Sequence, residues 1–259
     1  MIDKTTARIR RGQTSRQDDG FFSMLSNQEL LGLINDADAQ KRTSAAKLLG
    51  ERKYTYAVPL LCDRLKKETA LYTRIAISKA LGVIGEPAIS ELIDLLGKVG
   101  NNQHRKLPRK GFYKKSYPLP RDIAVRTIVK IGCSALKPLE QVVLEADRAS
   151  VLEAIDGIGQ IAFYEGDLSS EAVLMIAYQK YHSDQVILWK IVRAFQAFPT
   201  EKVRTLLETL ICSSISPELR WEAVRSLGQH GSKASAKIVA HAQHDAHDEV
   251  RKMARLFLK

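Results

Sequence analysis

Cysteine is scarce in this chain. Cys62, Cys133 and Cys212 lie far apart, and no two of them form a CxxC pair. An odd, scattered set excludes a disulfide framework and a cysteine zinc site, and fits a reducing compartment. Long apolar runs are missing as well. No window approaches the ~18 consecutive apolar residues of a bilayer-crossing helix, so no membrane contact is expected. Met1-Ile2-Asp3-Lys4 is not followed by an apolar stretch with a small-residue cleavage site, which points to a cytoplasmic protein. Neither GxGxxG nor GxxxxGK[ST] occurs, so no phosphate-cradling glycine loop is present. No cysteine has a histidine near it in sequence, which leaves thiol catalysis without support.

The 259 residues are 45% apolar and 27% charged, enough for one large core or two small ones. The net charge of +11 is unevenly spread. Residues 99–121 hold Arg105, Lys106, Arg109, Lys110, Lys114, Lys115 and Arg121 with no acid, a local charge of +7. Residues 1–20 add +2, and the rest of the chain is nearly neutral.

One pattern recurs along that neutral body. It opens with an Arg or an apolar residue at position 0, and carries Ala or Ile at +3, an apolar residue at +7 and often Gly at +8. Arg42 leads to Ala45, Leu49 and Gly50, and Arg74 to Ile77, Leu81 and Gly82. Arg121 leads to Ala124 and Ile128, Val151 to Ala154, Ile158 and Gly159, and Leu188 to Ile191 and Phe195. Arg220 leads to Ala223, Leu227 and Gly228, and Arg251 to Ala254 and Leu258. This spacing is one face of a helix. The following Gly predicts a C-cap, because Gly tolerates the left-handed turn there. A second apolar segment follows each register, as in Tyr56–Leu61, Ala88–Leu96 and Leu136–Leu144. Pro59, Pro87 and Pro138 fall near the starts of these second helices, where a missing N–H costs little. The pattern therefore predicts an all-α chain of six helix pairs and a seventh first helix, stacked into a continuous core. Ser26 and Glu29 predict a capping helix at about residues 26–34. Residues 1–25 are expected to be a basic tail without structure, and residues 26–259 the repeat array. The array ends one helix into its seventh repeat, so an apolar edge is expected there.

Leu219-Arg220-Trp221-Glu222-Ala223-Val224-Arg225-Ser226-Leu227-Gly228-Gln229-His230-Gly231 resembles the short HEAT-like repeat named after the phycobilisome lyases. Arg74 to Gly85 and Lys41 to Gly50 match it well, and the resemblance covers residues 30–259. It implies a right-handed α-solenoid of HEAT-like pairs with terminal capping helices. It does not single out a function, because such repeats build bilin lyases, deoxyhypusine hydroxylase and scaffolds. HEAT-like pairs also build a class of DNA glycosylases for alkylated purines. The hydroxylase binds a di-iron centre through His-Glu dipeptides. This chain has Trp221-Glu222 and Leu152-Glu153 there and no His-Glu anywhere, and Trp or Leu cannot ligate iron. Glu153 and Glu222 are therefore expected in structural hydrogen bonds or facing solvent. Trp189 and Trp221 share position +1, an equivalence that points to packing rather than to a lesion pocket. In HEAT-like repeats the position-0 Arg bonds acids and carbonyls of neighbouring repeats. Asp36, Asp38, Asp184, Glu218, Asp245 and Asp248 are available for that role.

His241, His244 and His247, with Asp245 and Asp248, offer imidazole and carboxylate in a combination that divalent metals accept. The competing reading is a polar inter-helix turn with aspartates capping the last helix, and it is preferred. No cofactor is expected.

The register interval of 47 between Arg74 and Arg121 exceeds all the others. The surplus falls at residues 99–120, where glycines and prolines forbid a regular helix. Insertions of this kind in repeat proteins map to loops on one face, often the binding face. Basic residues interleave there with Phe112, Tyr113 and Tyr117. Cations neutralise phosphates and aromatics stack on unpaired bases, which fits nucleic acid. The same cations fit an acidic protein surface, and the aromatics could instead pin the loop to the array. The expected function is a non-catalytic scaffold holding a protein partner, through Arg105, Lys106, Arg109, Lys110, Phe112, Tyr113, Lys114, Lys115 and Tyr117. A nucleic-acid binder, in a repair role for instance, is the alternative. A lyase-like or metal-dependent enzyme is kept by fold analogy alone. Oligomeric state is left open.

Overall fold

The computed structural model describes residues 4–15 and 20–258. The chain forms two compact units. One comprises residues 1–101 and 122–135, the other residues 102–121 and 136–259.

In the first unit, helices α1 (Lys4–Arg10) and α2 (Asn27–Leu33) precede the array. Ser26 and Glu29 form the expected capping box, each side chain bonding the other's backbone N–H. The register helices are α3 (Ala39–Glu51), α5 (Leu71–Ile84) and α7 (Ile123–Ile128). Their second helices are α4 (Val58–Lys67) and α6 (Ile89–Ile93). Helix α3 packs along α5, and α5 along α7. Residues 4–15 fall in the stretch expected to lack structure, yet Lys4–Arg10 is helical and the Tyr72 amide bonds the Arg11 carbonyl at 2.9 Å. Arg16, counted in the basic tail, lies outside the described residues.

The second unit begins its array with α8 (Leu136–Glu145), the second helix after Arg121. Its register helices are α9 (Arg148–Glu165), α11 (Gln185–Ala194), α13 (Pro217–His230) and α15 (Asp248–Phe257). Helices α10 (Glu171–Lys180), α12 (Glu201–Ser213) and α14 (Lys233–His241) pair with them. Among the described residues, six register helices are each followed in sequence by a second helix, a seventh register helix closes the series, and no strand occurs.

Positions +3 and +7 are the core. Ala45, Leu49, Ile77, Leu81, Ala154, Ile158, Ile191, Phe195, Ala223 and Leu227 are all 0% exposed. Each large side chain among them contributes ~1.5–3 kcal/mol by leaving water. Leu258 is the exception at 39% exposed. Asp38, Asp147 and Asp184 cap their register helices four residues before position 0. Helix α7 starts late, capped by Asp122, because Pro118 and Pro120 occupy what would be its first turn.

The position +8 glycines do not end helices, contrary to expectation. Gly50, Gly82, Gly159 and Gly228 lie inside α3, α5, α9 and α13. The chain turns instead at Gly85, Gly166 and Gly231, whose φ values are 85°, 72° and 66°. The +8 glycines let the next register helix approach: a Cβ on Gly50 would stand 2.5 Å from Ala80 Cα.

Three of the position-0 arginines, Arg42, Arg220 and Arg251, are structural, whereas Arg121 is exposed. Arg42 makes a two-pronged pair with Glu68 at 2.8 and 3.0 Å, and donates to the carbonyls of Asp36 and Ala37. Arg220 repeats this with Asp245 at 2.8 and 2.9 Å and the carbonyls of Ser214 and Ile215. Arg251 donates to the carbonyls of Asp245 and Ala246. The acid thus comes from the following repeat. Burial would raise the Glu68 carboxyl, but hydrogen bonds from Arg42, Arg64 and the Ala70 amide outweigh it and hold it at about 2.

Candidate partner-binding loop and register face

In each register helix, positions −2, +2, +5 and +9 turn away from the +3/+7 core. On the second unit this face is charged and buried. Glu153 and Asp156 stand at +2 and +5 of α9, Lys190 and Arg193 of α11, Glu222 and Arg225 of α13. All six are under 5% exposed. Lys190 Nζ lies 3.1 Å from Glu153 and 2.9 Å from Asp156, and donates to the Leu152 carbonyl. Arg193 lies 3.9 Å from Asp156 and 3.6 Å from Glu222, and Arg225 closes the row at 3.2 Å from Glu222. The sign alternates along the row, so three acids and three bases cancel. Breaking such a row leaves a buried charge uncompensated, at a cost of ~3–5 kcal/mol.

The basic loop covers this row. Arg225 donates to the carbonyls of Phe112 (3.2 Å), Lys114 (3.3 Å) and Ser116 (2.6 Å), while its guanidinium sits over the Phe112 ring at 5.2 Å. Gln229, at +9, donates to the Lys115 carbonyl. Glu249, at −2 of α15, accepts from the Gly111 amide at 3.0 Å and from the Tyr113 hydroxyl. Tyr117 is 3% exposed, packed on Phe163 at 5.8 Å. It fills the space left by Gly159, where a Cβ would stand 2.8 Å from its ring carbon Cζ. His104 meets Trp189 edge to face at 5.3 Å. Burial holds the His104 imidazole down at about 4, with the Arg193 and Arg121 cations adding to the effect.

The loop's cations are turned to solvent, except that Lys115 Nζ sits over the Phe257 ring at 5.6 Å. Arg105, Lys106, Arg109, Lys110, Lys114 and Lys115 are all exposed. Arg105, Lys106, Arg109 and Lys110, with Arg121, ring an open hollow of about 610 Å³. The structure therefore splits the nine expected contact residues. The six cations present a surface, whereas Phe112 and Tyr117 face the repeat and Tyr113 is tied to Glu249. Trp189 and Trp221 are each 1% exposed, in packing positions. The guanidinium of Arg193 lies 3.8 Å over the Trp189 ring, and His247 packs on Trp221 at 5.9 Å.

His241 ends α14 and His244 lies in the turn after it, but a histidine and not the expected aspartate caps α15. His247 is the N-cap of α15, its Nδ1 accepting from the Glu249 amide at 3.3 Å. Asp245 is engaged by Arg220. Among the described residues no group of three His, Cys, Asp or Glu side chains is placed to hold a metal ion.

A model of HEAT repeats matches residues 27–107 and 171–259, well over half of the chain. The chain belongs to the HEAT-repeat family. Among curated proteins no relative matches. Solved structures similar to this HEAT protein include the complex of CpcE and CpcF of phycocyanin lyase from Nostoc sp. PCC7120. That match has 17% identity, a TM-score of 0.38, and covers 90% of this chain and 94% of that one. Human deoxyhypusine hydroxylase in complex with glycerol is similar at 14% identity and a TM-score of 0.39, covering 97% and 92%. Computationally designed armadillo repeat proteins for modular peptide recognition are similar at 17% identity and a TM-score of 0.37, covering 90% and 98%. The family assignment rests on the repeat model and the register, not on these structural scores. No described helix of this HEAT protein is long and apolar enough to cross a membrane.

The sequence reading missed the buried charge row and its role in seating the loop. The signal was there at positions +2 and +5. Acid-acid, base-base and acid-base pairs follow one another in Glu153/Asp156, Lys190/Arg193 and Glu222/Arg225.

Proposed function

We propose that this HEAT protein is a non-catalytic scaffold that holds an acidic surface of a protein partner against the cations of residues 99–121. One observation carries the reading. The loop's backbone is clamped by Arg225, Gln229 and Glu249 while six of its cations stand exposed, on a segment without a single acid. Clamping lowers the ordering cost that a flexible basic loop would meet on binding. Like-signed exposed charges steer an oppositely charged partner and set its register. Phe112 and Tyr117 are occupied against the repeat, which leaves Tyr113 as the one exposed ring of the three and weakens the case for stacking on single-stranded nucleic acid. The scaffold reading also takes a cytoplasmic setting, no membrane and no cofactor. Lyase-like chemistry draws on repeat likeness alone.

The test neutralises Arg105, Lys106, Arg109, Lys110, Lys114 and Lys115 together to Gln. A partner that co-purifies with the native chain should be lost with the variant, and its retention would remove the loop from the function. The same two proteins are titrated with labelled duplex DNA and RNA over a range of salt. Binding by the native chain alone, with log K falling against log salt at a slope of about −4 to −5, would replace the protein partner by nucleic acid.

A further inference from the structure

The hollow at the start of the loop is built from residues 103–110 and Arg121, and encloses about 610 Å³. Lys106, Arg109, Lys110 and Arg121 bring four cations to it, and no carboxylate is among its lining residues. Arg105 lines it as well but is already engaged. Swinging free would relieve this crowding of like charge, yet the segment is held at both ends.

At one end the His104 ring meets Trp189 edge to face at 5.3 Å. At the other the Gly111 amide donates to Glu249 at 3.0 Å, and Arg225 fixes the carbonyls beyond it. Pro108 stiffens the middle, because its ring fixes φ. At the His104 ring the Arg193 and Arg121 cations outweigh the Asp156 carboxylate. The inner side of the hollow is therefore positive, although the row behind it is neutral as a whole.

Resting on the scaffold reading above, we infer that the hollow is a phosphoryl site, filled by a phosphorylated side chain of the protein partner. A cleft lined by one sign of charge focuses its field on a compact counter-ion. A phosphorylated side chain brings about two negative charges and three acceptor oxygens to one point, where an Asp or Glu brings one charge and two oxygens. Arg109 and Arg121 offer planar forks that match phosphate oxygens two at a time. The volume lies within the ~300–1,000 Å³ of small-ligand sites, so a phosphorylated side chain enters whole. A flat acidic surface or a duplex would meet only the rim.

Phenyl phosphate and phenylacetate, a phosphate monoester and a carboxylate, are titrated into the full chain at neutral pH and constant ionic strength. The His104 and Trp189 side-chain NMR signals report binding. Phenyl phosphate should shift both saturably and bind about tenfold more tightly than phenylacetate. Lys106→Gln/Arg109→Gln, at two exposed sites, should weaken it about tenfold, whereas Lys202→Gln/Lys237→Gln, exposed on α12 and α14, should not. Equal binding of the two anions, or equal loss in the two variants, would overturn the site as general counter-ion attraction. A partner that co-purifies with the native chain should be released by phosphatase and not by nuclease. A partner kept after phosphatase but lost from the variant with six loop cations neutralised would overturn the phosphoryl site and leave the scaffold reading standing. One kept by that variant would overturn both. Phenyl phosphate bound in the hollow beside a partner indifferent to phosphatase would overturn the partner's side chain as occupant in favour of a free phosphate ester. Release by nuclease would overturn it in favour of nucleic acid.

Discussion

Position +5 carries Lys47, Lys79 and Arg126 in the first unit and Asp156, Arg193 and Arg225 in the second, on helices whose +3 and +7 positions are equally buried. The repeat thus builds one core twice and finishes its outer faces in two ways. In the second unit the charges alternate, neutralise one another and are sealed under residues 111–117. In the first, position +5 holds three cations, and the segment at residues 11–14 bonds Tyr72, Gln40 and Lys47. The difference shows that a HEAT register specifies packing without specifying a surface. Whether the face binds its own chain or is left for another is decided by residues that the register does not constrain.

The comparison breaks most severely at Arg225. Arg225→Ala leaves Glu222 only the longer contact to Arg193 and releases three loop carbonyls, and should destabilise the second unit by ~3–5 kcal/mol. Hydrogen exchange should show lost protection in α13 together with the Gly111 amide, and unchanged protection would mean that the loop is seated by other contacts. Gly159→Ala should cost ~1–3 kcal/mol, because the added methyl meets the Tyr117 ring. Chemical denaturation monitored by Tyr and Trp fluorescence measures it, and an unshifted midpoint would show that Tyr117 can move aside cheaply.

The first unit has its own weak point in Glu68, held at about 2 against an ordinary 4.5. A depressed carboxyl contributes stability that is complete above pH 4.5 and is lost as pH falls toward 2. Glu68→Gln should cost ~1–3 kcal/mol at neutral pH and flatten the acid limb of the α3 and α5 amide protection curve. The second unit should respond at milder acidity. His104 is held near 4 from an ordinary 6.5, so its neutral form belongs to the folded state and its contribution fades as pH falls from 6.5 toward 4. Titrating the His104 ring by NMR gives the value directly, and an apparent pKa near 6.5 would show that the imidazole is not buried against Trp189. Smallest per site, replacing the six loop cations by Gln should move stability by no more than ~0.5 kcal/mol at each position while removing the partner. A collapse of the fold in that variant would mean the cations are structural.

The seven registers were legible because Ala45/Leu49 and their equivalents repeat with helical spacing, and a core must be continuous to be stable. The capping box at Ser26 and Glu29 was legible for the same local reason. The glycine at +8 was misread as a stop, because a glycine that admits a neighbouring helix and one that turns the chain look alike until the neighbour is placed. The loop was found by its length, but its two faces were not. Phe112 and Tyr117 read equally well as base-stacking groups and as anchors, and only Arg225 and Gly159, far away in sequence, decide between them. Long-range pairing of that kind leaves no periodic trace.

Tyr117 and Gly159 also carry a consequence for descent. A tyrosine inside an insertion fills the space that a glycine in the array leaves open, so neither residue can drift alone. Relatives that lack the insertion should be released from glycine at this site, and those that keep it should hold both residues or replace them together. The pair would then date the insertion: the array could have gained its loop only where a small residue already stood at position 159 or followed soon after.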